Sequence, residues 1–253
     1  MSAPAWLTAR PIAHRGLHAR ENGIIENTLS AAQAAIERGF SIECDVQLTA
    51  DGDAVVFHDP TLERLTTRRG DLGKTSAADL SALTMKDTTD RIPALSTLLD
   101  AIGGRAPLII EIKSRFDADW RLAERVASII ADYEGPIAIK SFDPYVVAHL
   151  RENGERLGTG RRPLGIVAEA RYDQGERQRL PQAVRESLSA FLHYPHTRPD
   201  FLSWRVDDLP HAIPFLLRTQ LDTPVITWTV RREEQHARAA QWADQIVFEG
   251  FMP

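Results

Sequence analysis

The chain of 253 residues has one cysteine, Cys44, so no intrachain disulfide can form. It has no apolar run near the ~20 residues that a membrane-spanning helix requires. Its opening, MSAPAWLTARPIAHRG, lacks a basic stretch followed by a long apolar core, and no signal peptide is expected there. No block of like charge suggests a binding tail, and a net charge of −5 leaves no electrostatic footprint for nucleic acid. Internal repeats, low-complexity stretches and domain linkers are also missing. What remains is ordinary for a globular protein, with 43% hydrophobic and 26% charged residues. The expectation is one soluble, cytoplasmic domain over 1–253, with no stable membrane insertion; oligomeric state is not legible.

Short β-branched runs are abundant. They read as strands at 11–16, 41–48, 107–113, 136–142, 163–169, 201–207, 224–230 and 245–250, several opening on proline, which a first strand position tolerates. Helical patterns lie between them. NTLSAAQAAIERGF reads as a helix capped by Asn27 and closed at Gly39; DADWRLAERVASIIADY and RREEQHARAAQWA are two more. Strands alternating with helices over this length predict an α/β fold, a (β/α)8 TIM barrel. A doubly wound sheet competes, but no glycine-rich dinucleotide fingerprint follows the first strand. ADG at 50–52 reads as a hairpin turn leading into DAVVFH. The irregular segment 59–95 then forms a short excursion after the second strand, over one end of the barrel.

Polar residues gather where these strands end. In SIECDVQL, Glu43 and Asp45 share one face while Ile42, Cys44 and Val46 take the other. In PLIIEIK, Glu111 and Lys113 share a face in the same way. The first strand offers His14 and Arg15, and the hairpin returns His58. Barrel active sites are built at this rim. Three carboxylates there form an all-oxygen site suited to a hard divalent ion. Two imidazoles can serve as acid and base near neutral pH, and Arg15 and Lys113 bring positive charge for an anion. Together these suit phosphodiester hydrolysis.

The ordered set His14-Arg15-Gly16, Glu26-Asn27-Thr28, Glu43-x-Asp45, His58-Asp59 and Glu111-x-Lys113 resembles the glycerophosphodiester phosphodiesterase family. Between Arg15 and Glu43 lie 27 residues, and between Asp45 and His58 lie 12. The similarity is strong over 11–142 and weak beyond. It implies a (β/α)8 barrel that hydrolyses small glycerophosphodiesters to glycerol 3-phosphate and an alcohol with one Mg2+ or Ca2+. By that resemblance Glu43, Asp45 and Glu111 hold the metal, His14 and His58 are the catalytic pair, and Arg15 and Lys113 meet the phosphate. The chain departs from the family pattern at Ile25, at Arg231 and in its last strand, which offers Gln245 and Glu249; these changes bear on the leaving group.

Other readings accompany these. Arg15 could pair with Glu26 as a scaffold, and Lys113 could bridge Glu111 or Asp45. Lys140 and Ser141 are weaker candidates. Trp204 and Trp228 could wall a pocket or simply fill space, while Cys44 should pack against the helices. A sugar-linked phosphodiester or a phospholipid is an alternative substrate. A non-catalytic barrel that binds a phosphorylated metabolite is the alternative from another class; it has no call for two imidazoles beside a metal site.

Overall fold

The computed structural model describes residues 3–253; Met1 and Ser2, where the opening segment begins, lie outside the described residues, as does the side chain of Glu176. The strands are β1 Ile12–Ala13, β2 Ser41–Leu48, β3 Ala54–Val56, β4 Leu108–Ile112, β5 Ile137–Ser141, β6 Leu164–Ala168, β7 Phe201–Arg205, β8 Val225–Val230 and β9 Gln245–Phe248. The helices are α1 Leu29–Glu37, α2 Ala77–Ala82, α3 Leu95–Ile102, α4 Arg121–Ile130, α5 Pro144–Glu152, α6 Gln182–Ser189, α7 Tyr194–Thr197, α8 Ala212–Gln220 and α9 Glu233–Trp242. No helix among the described residues is long and apolar enough to cross a membrane.

Eight parallel strands close into a barrel, because β1 pairs with both β2 and β9. The ninth, β3, is the expected hairpin partner, antiparallel to β2 with Val46 opposite Val56. Period-two alternation sorts the side chains. Ile42, Cys44, Ile110, Ile139, Leu202 and Trp204 face the helices and join the main core. Trp204 therefore fills space beneath the helical layer and does not wall the mouth. Ile12, Ile109, Ala138, Phe201, Ile226 and Val247 point inward near the strand starts. Leu7, with Trp6 and Ala3, packs on that inner cluster and closes the floor. Gly165 leaves the room that the Phe201 ring occupies; a Cβ there would meet it at 2.4 Å.

The segment 59–95 has its own small core of Leu62, Leu65, Leu72, Leu80, Met85 and Ile92, packed with Ile25, Val55 and Phe57. Ile25 belongs to the first rim loop, so that loop and the excursion share one apolar contact.

The cap of α1 differs from the expectation. Thr28 caps it, its hydroxyl accepting from the Ala31 N–H at 3.2 Å. Asn27 instead adopts a left-handed φ of 60° and turns its amide away from the helix. Both types are good caps, and adjacency in sequence does not decide between them.

Candidate active site

The geometry starts from β2 and β4, which are in register with Asp45 beside Glu111. Glu43, one inward position below Asp45, completes a group in which one oxygen from each carboxylate lies within 4.8 Å of the others. None of the three is more than 5% exposed. Grouped buried carboxylates repel, and burial favours their neutral form. Three cations offset this. Lys140 Nζ, inward on β5 and 2% exposed, stands 3.0 Å from Glu43 and 3.1 Å from Glu111. Lys113 Nζ lies 2.7 Å from Asp45 and 2.5 Å from Glu111. Arg15 Nε is 3.1 Å from Asp45, and its Nη1 donates to Glu26 at 2.6 Å.

The charge states follow. Burial pushes the Asp45 pKa up, but Lys113 and Arg15, with His58 and His14 behind them, hold it well below the usual carboxylate range. Burial likewise opposes ionised Glu111, yet Lys113 and Lys140 bring it down to about 2 against the push of Asp45. Burial would strip a proton from Lys140; Glu43 and Glu111 reverse that and raise its pKa. Lys140, a weak candidate from sequence, is thus the cation beneath the acidic cluster.

Backbone geometry at the first rim loop serves the same cluster. Arg15 has a left-handed φ of 57°, a conformation uncommon outside glycine, and its N–H donates to Glu43 Oε2 at 3.1 Å. Gly16 follows at φ 78°, where a Cβ would lie 2.7 Å from Ala31. Asn27 donates its amide N–H to Asp45 Oδ2 at 3.0 Å and accepts from the Asp45 backbone N–H at 3.1 Å.

Each imidazole is held by a carboxylate at Nδ1. His14 Nδ1 is 2.6 Å from Glu249 Oε2, and Arg231 bonds the same carboxylate at 3.1 Å. His58 Nδ1 is 2.7 Å from Asp59 Oδ1. Arg64, from the excursion, donates to Asp59 at 2.5 Å and to Glu26 at 2.7 Å. Burial opposes ionised Asp59 and Glu249, but their bonds to His58 and Arg64, and to His14 and Arg231, keep both pKa values depressed. The hairpin sets the height of His58, since the Phe57 N–H donates to the Asp45 carbonyl at 3.0 Å.

All seven sequence-derived site residues therefore meet at one end of the barrel. Sequence reasoning missed Asn27 as a partner of Asp45, Arg64 as the anchor of Asp59, and the Glu249–Arg231 pair as the support of His14. The departures at 231 and 249 were a signal, though one read as bearing on the leaving group. Cys44 is buried and in no disulfide, and burial, then Glu43 and Asp45, push its thiol pKa well up.

The residues fit a hard divalent cation on a second ground besides donor type. Glu43 Oε1 is buried and, although near Lys140, accepts no hydrogen bond of good geometry. That oxygen keeps lone pairs that could coordinate a cation in addition to its ion pair with Lys140.

Fold and site define a (β/α)8 barrel with a cation-competent acidic mouth and two carboxylate-anchored imidazoles. The chain belongs to the glycerophosphoryl diester phosphodiesterase family, whose model matches residues 14–249. It is 33% identical over 159 residues to a glycerophosphodiester phosphodiesterase of Caldanaerobacter subterraneus, covering 59% of this chain and 64% of that one. The matched part thus spans just under two thirds of that relative. YhdW of Bacillus subtilis is 26% identical over 246 residues, covering 93% of this chain and 92% of its own. The fold is shared with a phosphodiesterase of Oleispira antarctica solved with the product sn-glycerol-3-phosphate, at TM-score 0.74 and 20% identity, covering 94% of this chain and 91% of that one.

Proposed function

We propose that this chain hydrolyses glycerophosphodiesters to glycerol 3-phosphate and an alcohol with the help of one divalent cation, Mg2+ or Ca2+. The observation that carries the reading is the cluster of Glu43, Asp45 and Glu111 oxygens within 4.8 Å, beside two imidazoles anchored at Nδ1. Membership of the family and the product bound by the Oleispira protein support the substrate class. The same reading places the chain in glycerol and lipid metabolism in the cytoplasm.

Glu43, Asp45 and Glu111 would hold the ion, which when bound supplies charge neutralisation and orientation at a phosphate oxygen. The imidazoles move the protons. A carboxylate can only accept, so Nδ1 carries a hydrogen in both rings and Nε2 is the exchanging position. One Nε2 takes the proton of the attacking hydroxyl; the other gives its proton to the departing alkoxide. Glu249 and Asp59 keep each ring oriented and stabilise it when it is protonated.

Arg15 and Lys113 supply fixed positive charge for the phosphate. Each is already bonded to a site carboxylate, but neither is exhausted. An ammonium has three donors and a guanidinium five, and the buried Arg15 Nε has no hydrogen-bond partner of good geometry. Lys113 shares Asp45 and Glu111 with the proposed ion, so its ammonium is the group that turns toward the phosphate.

The test is release of glycerol 3-phosphate from glycerophosphoethanolamine and glycerophosphocholine by chelator-stripped protein, with Mg2+ or Ca2+ then restored. Cation-dependent product is the expected result. No product with either ion would overturn the reading.

A further inference from the structure

The half of the rim opposite His14 carries a cluster that the hydrolytic steps do not use. Lys140 points inward, so Phe142, two residues on, stands one layer higher toward the mouth. Ser203 and Arg205 are related in the same way on β7, as are Val167 on β6 and Glu169 just past its end. Val167 pairs with Ser203, which sets Glu169 beside Arg205, and Arg205 pairs with Trp228 on β8. Arg177, from the loop between β6 and α6, reaches back over this layer. Its Nε donates to Glu169 Oε1 at 2.7 Å, and Arg205 Nη1 lies 3.4 Å from Glu169 Oε2.

Two guanidinium groups thus share one buried carboxylate, the acid that either meets among the described side chains. Among the described residues, each guanidinium retains unused N–H donors on its terminal nitrogens. The aromatic groups beside them are already engaged. The Phe142 ring packs edge-on to Trp228 with centroids 5.3 Å apart, and its face is covered by the Arg177 guanidinium at 3.8 Å. A quaternary ammonium would need that open aromatic face. Here it finds a cation on it.

We propose that this cluster is the leaving-group subsite and that it selects an alcohol bearing an anionic group, with Arg177 and Arg205 as the selecting residues. The inference rests on the hydrolytic reading above and adds the class of alcohol to it. A carboxylate on the alcohol would take charge-assisted hydrogen bonds from both guanidinium groups, while a trimethylammonium would face like charge.

Glycerophosphoserine and glycerophosphoethanolamine differ by one carboxylate, which makes them the matched probes; glycerophosphocholine tests the quaternary ammonium. Each kcat/KM is measured on the same cation-loaded preparation, so the folded fraction cancels in every ratio. The serine substrate should exceed the ethanolamine one by about tenfold, the size of one charge-assisted hydrogen bond, with choline lowest. Arg177→Gln should reduce the serine-to-ethanolamine ratio severalfold; Arg205→Gln should do the same and keeps the test open if the first variant does not fold. Equal rates, a preference for choline, or ratios unchanged in both variants would overturn the inference and leave the hydrolytic reading standing. No product from any of the three would overturn that reading and the inference with it.

Discussion

His14 and Glu249, 235 residues apart in the chain, meet at 2.6 Å across the seam where β9 pairs with β1. The carboxylate fixes which ring nitrogen carries hydrogen, so its contribution should be to turnover more than to binding. His14→Ala and His58→Ala should each lower kcat at least about 10²-fold, the usual range for general acid–base groups. Glu249→Gln should lower kcat with KM nearly unchanged, and Glu249→Asp should recover part of the loss. Steady-state kinetics on the four variants decide it; a Glu249→Gln enzyme with wild-type kcat would remove the positioning role.

Glu43→Gln and Glu111→Gln each delete one charge from the oxygen cluster. Affinity for Ca2+ or Mg2+, read by calorimetry without substrate, should fall at least about tenfold, since hard-ion affinity follows the number of ligand charges. An unchanged titration would refute the ligand set.

Lys140 is buried between Glu43 and Glu111 and pairs with both. Lys140→Met should destabilise the metal-free protein by about 3–5 kcal/mol, the cost of leaving buried charges uncompensated. Urea unfolding measures it. Added Ca2+ should stabilise the variant more than the parent, because positive charge is what the variant lacks.

Glu26 lies between Arg15 and Arg64. Burial opposes its ionisation, but the bonds and charges of Arg64 and Arg15 depress its pKa from 4.5 to about 2. A depressed carboxylate pKa stabilises the fold above the unfolded-state value and loses that contribution as pH falls through the folded-state value. The contribution of Glu26 is thus complete above pH ~4.5 and disappears toward pH ~2, an amount on the order of 3 kcal/mol. Glu26→Gln should be less stable than the parent at pH 7, and the two unfolding curves should converge on acidification. A gap independent of pH would contradict the assignment.

Much of this was legible because strands repeat every two residues. Glu43-Cys44-Asp45 could only send both acids one way and the thiol the other, and Glu111-Ile112-Lys113 repeated the pattern. The ADG turn had to bring His58 back along β2. Partnerships across the barrel were another matter. Nothing local ties Arg231 and Glu249 to His14, because their meeting depends on closure of the barrel. Lys140 read as one polar residue in an apolar strand until its neighbours were known. Thr28 and Asn27 were interchangeable as caps until the backbone turned left-handed at Asn27.

The excursion's separate apolar core has a dynamic consequence. Arg64 hangs from that core and braces Asp59, and through it the His58 ring. Cooperative units with their own small cores can open below the free energy of global unfolding. If this one opens first, one half of the proton relay goes with it while the barrel stays closed. Inactivation by mild denaturant should then precede loss of barrel secondary structure, and amide exchange should be faster across 62–92 than in β4 or β5.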